Sequence, residues 1–257
     1  MKTSSDKIIA LVIFSIAMAA LESAVVVYLR ELYYPNGFTV AFKLIDEHIL
    51  LVEIARELAT LIMLISIAYL IGHNRADRFA YFLLSFAVWD IFYYVWLKVF
   101  IDWPASILGW DILFLIPITW LSPVLAPVIC SLTMIVLAIV ILRKNKTKIF
   151  TGPFLFFLIM GCVLILFTFM KDYGSLLLST GSFSAYVNLI QSKAFVASEY
   201  APVSYNWLVF GIGELFICAS IVYLIRSNSL KISLTTRLMN LYCHRKNLEH
   251  PKNIFDQ

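Results

Sequence analysis

Charged residues are scarce in this chain of 257 residues. Asp, Glu, Lys and Arg make up 14% of the sequence and hydrophobic residues make up 61%, whereas a soluble domain carries about 25% charged residues. With a mean hydropathy of +0.88, this scarcity excludes a water-soluble globular domain. The formal net charge of +4 is too small to indicate a nucleic-acid partner. We therefore expect the lipid bilayer to be the main partner.

Cysteine and histidine are also few. The four cysteines form no Cys-x-x-Cys pair and three lie inside apolar runs, so we expect free thiols rather than disulfides. The four histidines lie at span borders or in the tail, which excludes haem ligation across the bundle. No Ser-His-Asp set, zinc-protease motif or phosphate-binding glycine loop is present. We predict no cofactor; a metal held by carboxylates stays open, with His48 as a distant further ligand.

Six apolar stretches of about 20 residues predict membrane-spanning helices. Barrel strands are excluded because the stretches lack an alternating ten-residue pattern. Helices remain, because backbone N–H and C=O groups in hydrocarbon must form their hydrogen bonds within the protein. The approximate limits are 8–29, 48–72, 79–100, 122–143, 149–170 and 204–226. The chain is thus predicted to be an all-α, polytopic transmembrane helix bundle, with residues 1–226 as a single domain.

The basic residues are distributed unevenly between the two sides of this bundle. Fourteen of the 20 Lys and Arg residues fall on the side of the termini and five on the other side, while Arg56 lies inside span two. The positive-inside rule therefore predicts cytoplasmic termini. Residues 227–257 are predicted to form a basic cytoplasmic tail lying against anionic headgroups. We interpret the chain as a multi-pass protein of a cell membrane, the inner membrane of a bacterium.

Two outer segments are predicted to be more than simple loops. Residues 104–121 are apolar but shorter than a span, and Pro117 interrupts them, which favours a short outer half-helix before span four. Residues 172–203 are semi-apolar and long for a bundle connection, which favours a lid. The six tryptophans are expected to form an outer aromatic belt. The sequence Trp89-Asp90-Ile91 recurs at residues 110–112, and we interpret this repeat as chance.

Ionisable residues inside the predicted spans are the most informative feature of the sequence. Each costs roughly 2.5–3.5 kcal/mol at the membrane centre, so such residues persist only if they pair, protonate or face water. At a rise of 1.5 Å per residue, four of the carboxylates lie at a similar depth on four different helices. The candidate ion- or substrate-binding residues are Glu22, Glu53, Arg56, Glu57, Asp90 and Glu214.

Helical spacing predicts how some of these groups interact. Glu53, Arg56 and Glu57 share a face of span two, so Arg56 is expected to bridge one or both carboxylates. In span six, Gly211 lies on the face of Glu214 and is expected to allow close approach of a neighbouring helix. Five acids still face one arginine. The excess requires protonated carboxyls, a bound cation, or Arg30 and Lys98 reaching inward from the outer border.

Three functional hypotheses fit this cluster, besides a purely structural role as hydrogen-bonded carboxylic acids. The first is proton- or cation-linked transport or permeation of a small solute, which we rank highest. The second is an intramembrane enzyme that acts on a lipid-soluble substrate through carboxyl acid–base chemistry. The third is an accessory subunit of a larger membrane complex, or a homo-oligomer. Whether the protein is an enzyme, and which residues would be catalytic, is left open at this point.

The enzyme hypothesis has one point of resemblance. The stretch from Trp89 to Tyr94, Trp-Asp-Ile-Phe-Tyr-Tyr, resembles the Trp-Glu-x-x-Tyr region of small membrane-bound terpene cyclases. The resemblance covers only a handful of residues and carries over no catalytic role. It implies only that an acid beside aromatic rings can serve a lipid-soluble substrate.

Overall fold

The computed structural model describes residues 4–33, 47–116, 118–143, 149–180 and 204–226. These residues contain six helices, and each is long and apolar enough to cross a membrane. This finding confirms the six predicted spans; the sidedness of the termini stays a prediction. The helices are α1 (Ser4–Tyr33), α2 (Glu47–Ile71), α3 (Arg75–Ile101), α4 (Leu125–Leu142), α5 (Gly152–Thr180) and α6 (Trp207–Arg226).

Helix α3 lies at the centre of the packing and contacts α1, α2 and α4. Its small residues Ala80 and Ala87 are fully buried, which lets neighbouring helices approach closely. The helix begins at Asn74, whose side chain accepts a hydrogen bond from the backbone N–H of Asp77 at 2.9 Å. It ends at Asp102, which has a left-handed backbone with φ 52°. These signals fix the ends of the helix that carries Asp90.

Helices α5 and α6 approach each other through a pair of glycines. A methyl group added to Gly161 would lie 2.8 Å from the carbonyl oxygen of Gly213, and one added to Gly213 would lie 2.8 Å from Cγ1 of Ile165. The prediction that Gly211 provides this approach is wrong, because a methyl group there would meet nothing within 4 Å. Sequence spacing placed Gly211 on the face of Glu214 but could not show which face meets α5.

A β-hairpin, not a half-helix, precedes α4. Strands β1 (Trp110–Ile112) and β2 (Leu121–Pro123) pair antiparallel, with Asp111 opposite Ser122. The predicted half-helix over 104–121 is therefore wrong, and the fold is not purely α-helical. Beyond the strands, Leu113 N–H donates to the Trp120 carbonyl at 2.9 Å. Cross-strand pairing gives a partly buried, aromatic-rich backbone the hydrogen bonds that it needs.

The described part of the second outer segment begins as helix. Helix α5 continues to Thr180, ten residues past the predicted end of span five at 170. The remainder of the predicted lid, 181–203, and the predicted basic tail, 227–257, lie outside the described residues.

Candidate functional site

A cavity of about 570 Å³ lies inside the helix bundle, beneath the β-hairpin. The walls come from α1 to α6 and from the hairpin. The structure brings all six predicted site residues to this one cavity: Glu22, Glu53, Arg56, Glu57, Asp90 and Glu214. Arg30 and Asp111 line it as well. The ionisable groups of the spans therefore share one enclosure.

The cavity is elongated: along α3 it extends from Phe79 to Tyr94, which corresponds to roughly 22 Å at 1.5 Å per residue. Most of the ionisable groups, including both guanidinium groups, lie in the half nearer the hairpin, whereas Glu214 lies beside Thr133, about one turn of α4 from Leu137. The opposite end is lined by Phe79, Leu83, Leu137 and Leu158. The cavity thus has a more polar part and an apolar part, as an amphipathic lipid molecule does.

Arg56 of α2 pairs with two carboxylates, one of which belongs to α1. Its guanidinium forms an ion pair with Glu22 across the helices. It also pairs with Glu53 one turn away, Nη2 to Oε2, at 2.7 Å. Thr60 Oγ1 donates to the second oxygen of Glu22 at 3.0 Å. Spacing correctly predicted the pairing with Glu53, whereas Glu22 could not be assigned because it belongs to another helix.

Glu57, the other acid beside Arg56 in sequence, contacts the hairpin instead. The backbone N–H of Leu115 donates to both of its carboxylate oxygens, at 3.1 and 3.0 Å. Glu57 is 6% exposed. This carboxylate therefore ties the polar end of the cavity to the segment after β1.

Arg30 makes a second tie between the helices and the hairpin. Its Nη2 lies 3.2 Å from Oδ1 of Asp111, and both side chains are buried. The guanidinium also lies 3.8 Å from the centre of the Trp103 ring, a distance typical of cation–π contacts. Of the two border cations considered above, Arg30 thus reaches the cluster. Lys98 does not, because it pairs with the exposed Asp102 at 2.7 Å.

Asp111 lies in the hairpin, outside the membrane-spanning helices, and its environment perturbs its titration. Burial raises the pKa of Asp111 above the ordinary value of an aspartate. The nearby guanidinium of Arg30, the backbone N–H of Ile112 and the hydroxyl of Tyr94 oppose this rise, and the negative charge of Asp90 adds to it. The net direction is upward, so burial outweighs the ion pair.

Asp90 and Glu214 differ from the other acids because their hydrogen-bond donors are side chains of α4, a hydroxyl in each case and also the thiol of Cys130 for Glu214. Ser131 Oγ donates to Asp90 at 2.8 Å, and Thr133 Oγ1 donates to Glu214 at 2.9 Å. Neither carboxyl forms a salt bridge within the described residues. The cavity therefore contains three kinds of carboxyl: those paired with arginine, Glu57 bound by a backbone N–H, and the two bound by side chains of α4.

Aromatic rings form the wall around the hairpin. Phe114 lies between two indoles, with ring centres 6.2 Å from Trp89 and 5.3 Å from Trp120. Trp89, which the sequence analysis assigned to an aromatic belt, is only 5% exposed. This wall offers flat, apolar surface next to the acids.

Sequence reasoning missed several residues of this site. Asp111 was passed over because the repeat Trp-Asp-Ile was interpreted as chance, yet the structure places both of its aspartates, Asp90 and Asp111, at the cavity. Ser131 and Thr133 could have been found as the hydroxyl pair in the otherwise apolar α4. In both cases the informative signal was a polar residue in an apolar run.

The described residues offer no group of three His, Cys, Asp or Glu side chains arranged to hold a metal ion. His48 is exposed and does not line the cavity. The carboxylates are instead committed to arginine, hydroxyl and backbone partners. This arrangement of carboxylates is suited to binding a small molecule and to exchanging a proton with it.

The fold and the cavity define a class: a six-helix bundle with the character of a multi-pass membrane protein and a buried acidic site. In comparisons with known proteins, no family model, no curated protein and no solved structure matches the chain. Function must therefore be argued from the cavity itself.

Proposed function

We propose that this multi-pass membrane protein binds an elongated, lipid-soluble molecule in the cavity and acts on its polar end by carboxyl acid–base chemistry. The observation that carries the proposal is the polarity gradient of the cavity. The half nearer the hairpin contains the arginines and most of the acids, and the other end is lined by apolar side chains such as Phe79 and Leu137. Such a gradient matches a molecule with one polar end and an apolar body.

The size of the cavity supports this proposal. Small-molecule sites typically occupy about 300–1,000 Å³ and combine mainly apolar walls with a few convergent polar groups. The volume of about 570 Å³ lies in the middle of that range. A site for a small hydrated ion would not need an apolar extension of this length.

Acid–base chemistry needs one carboxyl that gives a proton and one that takes it. Glu22 and Glu53 are already paired with Arg56. Asp90 and Glu214 have uncharged partners, the hydroxyls of Ser131 and Thr133 and the thiol of Cys130, which suits groups that exchange a proton with a ligand. We assign the proton-transfer role to Asp90 first, because it adjoins the aromatic wall at Trp89.

The predicted orientation of the termini implies the side of the membrane on which this chemistry would occur. With cytoplasmic termini, the hairpin and the polar end of the cavity lie towards the outer face of what we propose is a bacterial inner membrane. The lipid-soluble molecule would then enter from the outer leaflet with its apolar body directed inward. The bilayer is the only partner that this proposal requires.

Proton- or cation-linked transport is the second candidate. The excess of carboxylates over guanidinium groups at the cavity favours it, because intramembrane acids often mark ion pathways. The apolar end of the cavity argues against transport, because the side chains of Leu11, Ile141 and Phe154, beyond Leu137, are fully buried. An ion leaving the acids in that direction would have to pass these buried apolar side chains.

A comparison of lipid extracts tests the proposal. Bacteria expressing the full chain, Asp90→Asn or Asp102→Asn are extracted with organic solvent, and the extracts are compared by mass spectrometry. Asp102 is the matched control because its side chain is 90% exposed and does not line the cavity. We expect the amount of at least one lipid-soluble species to be the same in the extracts of the parent and the control and to differ in the extract of Asp90→Asn.

Proton flux into vesicles separates the two candidates. The purified parent and Glu214→Gln are reconstituted with a pH-sensitive dye inside the vesicles, and a potential is applied. The acid–base proposal predicts no flux above empty vesicles for either protein. A flux that the parent supports and Glu214→Gln abolishes, with identical lipid extracts, would replace the proposal with transport.

A further inference from the structure

Two indole N–H groups in the aromatic wall of the cavity have no hydrogen-bond acceptor among the described residues. They belong to Trp89 and Trp120, and both nitrogen atoms are shielded from solvent. Indole nitrogen is a donor only. Trp96 shows the ordinary situation in the same bundle, since its Nε1 donates to the carbonyl oxygen of Ile16 at 3.1 Å.

The unpaired donors belong to two rings that contact the same phenyl ring. Both rings flank Phe114, and both residues line the cavity. Folded proteins satisfy the great majority of buried polar groups. A buried oxygen of Glu214 also lacks a partner, but its other oxygen is bonded to Thr133, whereas an indole has a single polar atom and these two make no hydrogen bond with any described residue. Their shared position at the cavity points to an acceptor that the cavity's occupant supplies.

We infer that the ligand carries an oxygen that accepts hydrogen bonds, a carbonyl, ether or hydroxyl oxygen on an apolar body, and that Trp89 and Trp120 bind this oxygen beside Asp90. This inference rests on the proposed function and names the chemical class of its substrate. Binding requires at least one ring to turn its N–H towards the oxygen. We assign donation of a proton to this oxygen to Asp90, which lines the same cavity.

A lipophilic amine is the main competing ligand, because it would pair with the acids. An ammonium group has donors only, so it would leave both indole N–H groups without an acceptor. A plain hydrocarbon would also leave them unpaired. The three ligand types therefore predict different responses of the indoles.

The test uses the full chain in nanodiscs, with indole nitrogens labelled with ¹⁵N and observed by NMR. The probes are 2-tetradecanone, tetradecane and tetradecylamine, which share one chain length. We expect the ketone alone to shift the indole proton signals of Trp89 and Trp120 downfield, as formation of a hydrogen bond does. Trp96 already has a partner, and its signal is expected to stay in place with every probe.

Substitutions add an affinity measurement. Trp89→Phe and Trp120→Phe each remove one donor and are expected to weaken ketone binding about three- to tenfold, which is the usual net contribution of one hydrogen bond. Binding of tetradecane should be unchanged in both. Trp207→Phe is the control, since Trp207 does not line the cavity. If a variant does not fold, the indole shifts of the parent decide.

The outcomes separate this inference from the proposed function. Equal affinity of the parent for ketone and alkane, without indole shifts, overturns the inference and leaves the binding of a lipid-soluble molecule intact. Tightest binding of the amine overturns the inference in favour of a cationic ligand. Binding of none of the three probes contradicts the proposed function itself.

Discussion

Arg30 on α1 and Asp111 in β1 form a buried ion pair, Nη2 to Oδ1 3.2 Å, across 81 positions of sequence. The guanidinium is held from its other side by the ring of Trp103. This pair fixes the hairpin above the polar end of the cavity. Its burial makes it different in kind from the exposed pair of Lys98 and Asp102.

Breaking the two ion pairs should therefore have unequal effects. Arg30→Ala leaves a buried carboxylate without its cation, and we expect a loss of roughly 3–5 kcal/mol in the free energy of unfolding. Lys98→Ala, the matched control at an exposed pair, should cost far less, because solvent screens that pair. Thermal unfolding in detergent measures both. Equal stabilities of the two variants would show that the hairpin is held by other contacts.

The raised pKa of Asp111 predicts a pH dependence of stability. When the folded pKa lies above the unfolded pKa, the folded state binds more protons between the two values, so stability decreases as pH rises through that interval. This decrease should begin above pH 4, near the ordinary aspartate pKa of about 3.9. Arg30, Tyr94 and Asp90 act on the same carboxyl, so their substitution would move the interval.

Asp111→Asn isolates that effect. The variant cannot titrate at this position, so the decrease of its melting temperature from pH 4 to neutrality should be smaller than that of the parent. The other carboxyls titrate in both proteins and cancel in the comparison. Parallel curves for the two proteins would contradict the assignment of this titration to Asp111.

Arg56 should be essential to the fold as long as its carboxylate partners remain. Arg56→Met leaves Glu22 and Glu53 buried without a cation, and we expect a loss of roughly 3–5 kcal/mol. Adding Glu22→Gln and Glu53→Gln removes the stranded charges and should recover most of that loss. Unfolding curves of the single and triple variants test this. No recovery in the triple variant would mean that the arginine contributes through packing.

The orientation of the termini has its own test. A reporter that is active only in the cytoplasm, fused after Gln257, should be active, because fourteen of the 20 basic residues lie on the side of the termini. A matching fusion to a reporter active only in the periplasm should be silent. The reverse pair of results would move the polar end of the cavity to the cytoplasmic side.

Local sequence patterns predicted the parts of this structure that depend on local physics. Apolar runs of about 20 residues located all six helices, because length and hydropathy alone decide whether a segment can cross a bilayer. The spacing of Glu53 and Arg56 predicted their ion pair, since residues three apart share a helix face.

The parts that failed depend on contacts distant in sequence. The hairpin is held by cross-strand hydrogen bonds such as Leu113 to Trp120, and its apolar composition is equally compatible with a short helix. The pairs Arg30–Asp111 and Arg56–Glu22 join separate elements, so the spacing of residues within one helix could not predict them. The glycine contact of α5 with α6 was likewise invisible, because rotation of a helix about its axis is set by tertiary packing.

The central claim is that the cavity holds a lipid-soluble molecule, and native mass spectrometry of the protein released from nanodiscs tests it most directly. Cys130 lines the cavity, whereas Cys218 is exposed and does not, so Cys130→Trp reduces the space and Cys218→Trp is its control. We predict that the parent and Cys218→Trp each retain one bound apolar molecule and that Cys130→Trp, still folded by its melting curve, does not. Identical retention by all three proteins, or retention by none, would contradict the account.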